Sequence, residues 1–186
     1  PCESMIVSSA SGTVLYSDKT SIFVLTAAHF CQEDQDMTYI FKEKIIGFAN
    51  DTPRDLYPVK LDLENDLCLL MGPKFKTDYF YNIKITNNFT IGEEVYSVAA
   101  PLGLGGPGFR MIFKGNLGGC DSKGCLTTMA ATFGSLGAAI FNKNHELITI
   151  IMAVPQDFNN VILSPSNESL IKFITDIDAH LDIYPY

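Results

Sequence analysis

The sequence predicts an all-β sandwich or barrel closed by one C-terminal helix. Short segments rich in β-branched and aromatic residues recur between turn residues along most of the chain. Only the segment after Ser164-Pro165 changes period, placing Leu170, Ile171, Ile174, Ile177 and Leu181 at helical spacing. The 186 residues suit one domain, or two small lobes folded together, with enough chain to bury a sizeable core.

Taken in order, "GTVLYS" (12–17) and "SIFVLTA" (21–27) are apolar and β-branched and lie on either side of the turn-forming "DKT". "TYIFKEKIIGFA" (38–49), "LYPVKLDL" (56–63) and "DLCLLMG" (66–72) continue the pattern, each bounded by Asp, Asn, Gly or Pro. The polar stretch "TDYFYNIKITNNFTIG" (77–92) reads as a crossover between an N-terminal half, 1–76, and a C-terminal half, 93–164. The second half supplies "EEVYSVAA" (93–100), "FRMIFKG" (109–115), "AAIFN" (138–142), "ELITIIMAV" (146–154) and "NVILS" (160–164). The remaining 165–186 carry the helix and tail, with Pro165 at a permitted first-turn position.

Composition excludes several classes of function. At 47% hydrophobic and 18% charged residues, with no long biased tract, the chain reads as soluble and globular. The net charge of −8 argues against nucleic acid or an anionic membrane as main partner, because both reward clustered Lys and Arg. Apolar runs such as "LITIIMAV" (147–154) are much shorter than the roughly 20 residues that span a bilayer. "PCESMIV" shows no basic segment followed by a long apolar one. The five cysteines form neither CxxC nor a Cys/His array of zinc-ligand spacing, and the nucleophilic hydrolysis considered below needs no metal or other cofactor. "CDSKGC" reads equally as a small disulfide loop, Cys120 to Cys125, or as two reduced thiols. Two Asn-x-Ser/Thr sequons stand at Asn88 and Asn167.

Nucleophilic hydrolysis needs a base, a group that orients it, a nucleophile and donors for an oxyanion. His29 follows an apolar strand in "LTAAHFC", so a strand end delivers its imidazole to a loop. Asp66, in "LENDLCLL", opens another apolar strand, where a carboxylate can be partly buried and accept an imidazole N–H. Either residue alone also suits an ordinary strand boundary. Together, "TAAHFC", "DLCLL" and "GSLGAAIFN" resemble, in order and spacing, the His, Asp and nucleophile boxes of the chymotrypsin/trypsin-like serine peptidases. "IGEEVYSVAAPLGL" (91–104) and "GAAIFNKNHELITI" are similar to segments of the bacterial Htr-type members. The resemblance implies two six-stranded antiparallel β-barrels with the site at their junction and a C-terminal helix. It also implies a peptide or protein as substrate or ligand.

In the family motif G-x-S-G-G-P-[VL]-F-N, counting back from Phe141 aligns Gly134 with the first glycine and Leu136 with the nucleophile. Gly137 keeps the next glycine, and Ala138 and Ala139 replace Gly and Pro. A leucine offers no nucleophile and fills the space of a scissile carbonyl. The backbone N–H groups of Gly134 and Leu136 can still form the oxyanion hole, which depends on loop conformation. The alternative makes Ser135 the nucleophile through a one-residue slip, which loses the glycine two positions earlier and so misaims the hole.

The position six before the nucleophile, acidic in trypsin-like members, is Ala130 here, and 151–154 is apolar. With Ala130, Ile151 and Val154 as pocket residues, the resemblance points to a small or medium apolar side chain at the cleavage site. The other candidates read as structure: Cys31 as a buried thiol, Cys68 as core, and His145 and His180 as solvated in a turn and in the helix. "GLGGPG" fits G-x-G-x-x-G, but Pro107 and a strand-like segment follow where a dinucleotide site needs a helix. Two readings of function remain, a serine endopeptidase and a pseudoprotease gripping extended peptides by strand addition, and the residue at 136 discriminates them. A generic β-barrel binding protein would make all three boxes coincidence.

Overall fold

The "SIFVLTA" and "DLCLLMG" segments are apolar on both faces of a strand, which requires a core on each side. In the computed structural model, β2 (Ser21–Ala27) and β5 (Leu67–Pro73) pair antiparallel, and each lies between two cores. Ile22, Val24, Cys68 and Leu70 face one core with Ile45 and Leu56. Phe23, Leu25, Leu67 and Leu69, one residue out of phase, face another. The structure describes residues 9–32, 44–49, 52–76, 82–101, 111–132, 134–158 and 160–181, with no side-chain detail for 48, 49 and 176–181.

Around that pair stands a five-stranded antiparallel sheet ordered β1-β2-β5-β4-β3, with β1 (Thr13–Ser17), β3 (Ile45–Ala49) and β4 (Thr52–Asp62). The second sheet has six antiparallel strands ordered β10-β9-β6-β7-β8-β11. They are β6 (Glu94–Ala99), β7 (Met111–Cys120), β8 (Cys125–Met129), β9 (Ala139–Asn142), β10 (Leu147–Ile150) and β11 (Ile162–Ser164). The second sheet encloses its own core of Val95, Leu117, Met129, Ile140, Ile148, Ile151 and Ile162. Among the described residues the first sheet has five strands rather than the six implied by resemblance. Residues 38–43 of the third predicted strand, the 109–110 end of another and the "GLGGPG" motif lie outside the described residues.

One strand was not anticipated. β8, "CLTTM", buries Cys125, Thr127 and Met129 and turns Leu126 and Thr128 outward, a strict alternation with a threonine on each face. It pairs with a β7 that runs five residues beyond its predicted end at 115.

Residues 82–86 stitch the sheets together. Asn82 bridges to Tyr16 of β1, Ile85 bridges to Leu147 of β10, and the Ile83 N–H donates to Leu15 O at 2.9 Å. The helix α1 (Asn167–Leu181) is capped by Ser166, whose Oγ accepts from the Ser169 N–H at 3.0 Å, so Pro165 precedes the cap instead of lying in the first turn. Leu170 and Phe173 enter the core shared by both sheets, and the Lys60 Nζ donates to the Phe173 carbonyl at 2.7 Å. No helix among the described residues is long and apolar enough to cross a membrane.

The cysteines correct one expectation. Cys31 is no free thiol and Cys68 no plain core residue: they form a fully buried disulfide. Cys120 and Cys125, left open on sequence, are disulfide-bonded across the end of the β7–β8 hairpin. Of the sequons, Asn88 is exposed, whereas Asn167 is buried with its Nδ2 donating to Thr86 O and Ile148 O at 2.9 and 2.7 Å.

Candidate active site

Antiparallel register puts Ala27 opposite Leu67, so the residues just beyond the ends of β2 and β5 come face to face. A 3-10 turn, Ala28–Cys31, follows β2 and carries His29. The Ala28 N–H donates to Asp66 O at 3.1 Å, and the His29 N–H donates to Asp66 Oδ1 at 2.8 Å. Asp66 adopts φ of 54°, a left-handed conformation that aspartate tolerates better than most residues. The His29 Nδ1 lies 3.0 and 2.8 Å from the two Asp66 carboxylate oxygens. A carboxylate only accepts, so it holds the imidazole in the tautomer with the proton on Nδ1 and leaves Nε2 as the basic nitrogen. The His29 side chain is 49% exposed and that of Asp66 17%, an orientation suited to a solvent-facing base held from behind. Cys31–Cys68 ties the same turn to the same strand one step deeper.

The 134–137 turn comes from the second sheet, just before β9, and leans on the first. Gly134 and Gly137 have φ of 87° and 86°, a region that side chains make costly. A Cβ on Gly137 would stand 2.3 Å from Ser11 O, 2.4 Å from Thr26 Oγ1 and 3.1 Å from Ala27 N. Only glycine lets the turn press onto the end of β2, two residues before His29. Backbone bonds then fix it: Ser135 N–H to Thr132 O (3.0 Å), Gly137 N–H to Ile151 O (2.7 Å), Ala138 N–H to Ser135 O (3.1 Å) and Ser11 N–H to Leu136 O (2.8 Å). The N–H groups of Gly134 and Leu136 have no acceptor among the described residues.

Ser135 is fully buried, and its Oγ faces the Thr132 N–H at 3.4 Å. Leu136 is half-buried and packs against the second core. Of the predicted pocket residues, Ala130 is exposed and Val154 half-buried, while the Ile151 side chain lies wholly in the second core and offers the turn its backbone instead. His145 sits exposed in the β9–β10 turn with its Nδ1 2.5 Å from the Tyr96 hydroxyl. The side chain of His180 lies outside the described residues. No group of three or more His, Cys, Asp and Glu among the described residues is placed to hold a metal.

Sequence reasoning passed over Ser11 and Thr26. Ser11 Oγ donates to Gly134 O at 2.6 Å and accepts from Ala100 N–H at 3.2 Å, while Thr26 Oγ1 donates to Ser11 O at 2.8 Å. Thr26 opens the "TAAHFC" box and was visible there, but a serine in "SSASGT" looks like any turn residue.

A family model described as a trypsin-like peptidase domain matches residues 10–150. Among solved structures, the chain is similar to a serine endoprotease from Yersinia pestis, with TM-score 0.71 and 22% identity over 94% of this chain and 59% of that one. It thus spans less than two thirds of the length of the Yersinia chain. It is also similar to the inactive form of a mutant protein from Mycobacterium tuberculosis H37Rv, with TM-score 0.70 and 14% identity over 91% and 82% of the two chains. No curated protein matches the sequence.

Proposed function

The chain belongs to the trypsin-like peptidase family, and we propose that it is a member whose hydrolytic step is silenced by Leu136 at the nucleophile position. In this reading His29 is the general base, Asp66 orients it, and the N–H groups of Gly134 and Leu136 form the oxyanion hole. No metal or cofactor takes part. The cleft still receives an extended peptide by strand addition. With Ala130 in place of an acidic residue, a small or medium apolar side chain suits its pocket better than Lys or Arg.

The observation that carries the assignment of position 136 is the fit of Gly137 against Ser11 and Thr26. A one-residue slip that brought Ser135 to the nucleophile position would carry Leu136 into the place of Gly137. A Cβ there meets a backbone oxygen at 2.3 Å and a φ of 86°. The Ser135 N–H, which the slip needs as an oxyanion donor, is bonded to Thr132 O.

The test is labelling with a fluorophosphonate serine probe, read by intact mass and peptide mapping, on the natural chain and on Leu136→Ser. No adduct on the natural chain and a single adduct at position 136 of the variant are expected. An adduct on Ser135 in the natural chain would overturn the assignment and make the protein an active peptidase.

A further inference from the structure

We infer that Ser11 is a positioning residue for the oxyanion turn: its hydroxyl holds the Gly134 carbonyl and thereby sets the direction of the turn's unbonded N–H groups. The inference deepens the reading above and rests on it for the word oxyanion, though its geometry stands alone.

The peptide unit joining Gly134 to Ser135 is gripped at both ends. Ser11 Oγ donates to its oxygen at 2.6 Å, and Thr132 O accepts from its N–H at 3.0 Å. The unit joining Leu136 to Gly137 is gripped likewise, by the Ser11 N–H on its oxygen and by Ile151 O on its N–H. The unit between them, which carries the Leu136 N–H, is held through Ser135 O by Ala138. Ser11 therefore supplies two of these restraints, one from its side chain and one from its backbone. Ser11→Ala removes the first and leaves the second.

Ser11 is 9% exposed, and its hydroxyl is itself oriented, because it accepts from the Ala100 N–H at the end of β6. A glycine at 134 makes such a clamp necessary. With φ of 87° and no side chain, Gly134 can rotate its carbonyl at little steric cost, and a rotation of the following peptide turns the Ser135 N–H off Thr132. Donors aimed at a developing oxyanion act through their preorganisation, so a freely turning peptide beside them loses rate without losing binding.

The test begins with the natural chain, by amide hydrogen exchange read residue by residue on Ser11→Ala and, as a control, Thr26→Val. The control removes the neighbouring bond to Ser11 O and leaves the Gly134 clamp intact. Expected is exchange of the Ser135 amide about tenfold or more faster in Ser11→Ala, with no such change in Thr26→Val. Unchanged exchange in Ser11→Ala, or equal acceleration in both, overturns the inference. In the Leu136→Ser background, adding Ser11→Ala is expected to lower the maximal rate of fluorophosphonate labelling by about tenfold to a hundredfold, with half-saturating probe concentration unchanged. A loss carried by the half-saturation instead would make Ser11 a ligand contact and overturn the positioning role. If Leu136→Ser is never labelled, the reading of position 136 fails, and the exchange measurement still decides for or against the clamp.

Discussion

The two halves of the site are built from different materials. On the first sheet the candidate site is made of side chains: an imidazole and a carboxylate meet because β2 and β5 are in register, and backbone bonds and a disulfide hold the meeting place. On the second sheet it is made of main chain: the 134–137 turn presents two N–H groups through glycine conformations and five hydrogen bonds, whatever side chain stands at 136. A main-chain device survives the replacement of one residue. A side-chain pair does not survive the loss of either member.

The strongest way to break this comparison is to supply the nucleophile that the proposed reading finds replaced at 136. Leu136→Ser is expected to raise fluorophosphonate labelling and peptide hydrolysis by about a thousandfold or more over the natural chain, and adding His29→Ala is expected to take that gain away. A double variant that kept the activity would remove His29 from the reaction. Next in size is Gly137→Ala, which forces a Cβ into contact with a backbone oxygen at φ 86°. It is expected to cost about 2–4 kcal/mol in a chemical denaturation curve. A cost under about 0.5 kcal/mol would show that the turn adapts freely.

The two disulfides sharpen the contrast further. Cys31–Cys68 closes a separation of 37 residues and Cys120–Cys125 one of 5. On chain-entropy grounds their loss is expected to cost about 4 and about 2 kcal/mol respectively. Only the first should also disturb the His29 imidazole resonances in an NMR spectrum, and an equal disturbance by both would show that the two halves are coupled.

The smallest effect is one the halves share. Asp18 in the β1–β2 turn and Asp121 in the β7–β8 turn each accept two backbone N–H bonds on Oδ1, from Thr20 and Ser21 and from Lys123 and Gly124. In Asp18 burial opposes the charge, and the bonds from Thr20 and Ser21 outweigh it, so its carboxyl lies below the ordinary 3.8. In Asp121 the bonds from Lys123 and Gly124 lead, with the same result. A carboxyl lowered by folding stabilises the fold above its unfolded value and loses that contribution as pH falls through the folded one. Amide exchange at both turns is therefore expected to speed up as pH drops below 3.8, beyond the intrinsic pH trend. Absence of that acceleration in Asp18→Asn and Asp121→Asn is the check.

Much of this was legible in the sequence because burial imposes a pattern. Continuous apolar strands such as "SIFVLTA" announce two cores, and the helical spacing from Leu170 to Ile174 announces a packed face. β8 was missed because its two threonines and single exposed leucine look like loop, and only its place between β7 and β11 makes it a strand. The buried disulfide was missed because Cys31 and Cys68 each suit a buried core position by themselves. Nothing in the sequence marks the pairing, because Cys31 reaches Cys68 only through the 3-10 turn that follows β2. Ser11 left no trace either, since its importance comes from a contact 123 residues away.

The core that both sheets share has a mechanical consequence. Leu15, Phe23, Leu25, Leu67 and Leu69 from the first sheet, Ala139, Leu147 and Ile150 from the second, and Leu170 and Phe173 from the helix form one apolar cluster. Swinging the halves apart would expose that cluster to water, so a hinged jaw is a costly motion for this molecule. The spacing between the two halves of the candidate site is therefore set by buried apolar side chains well behind it.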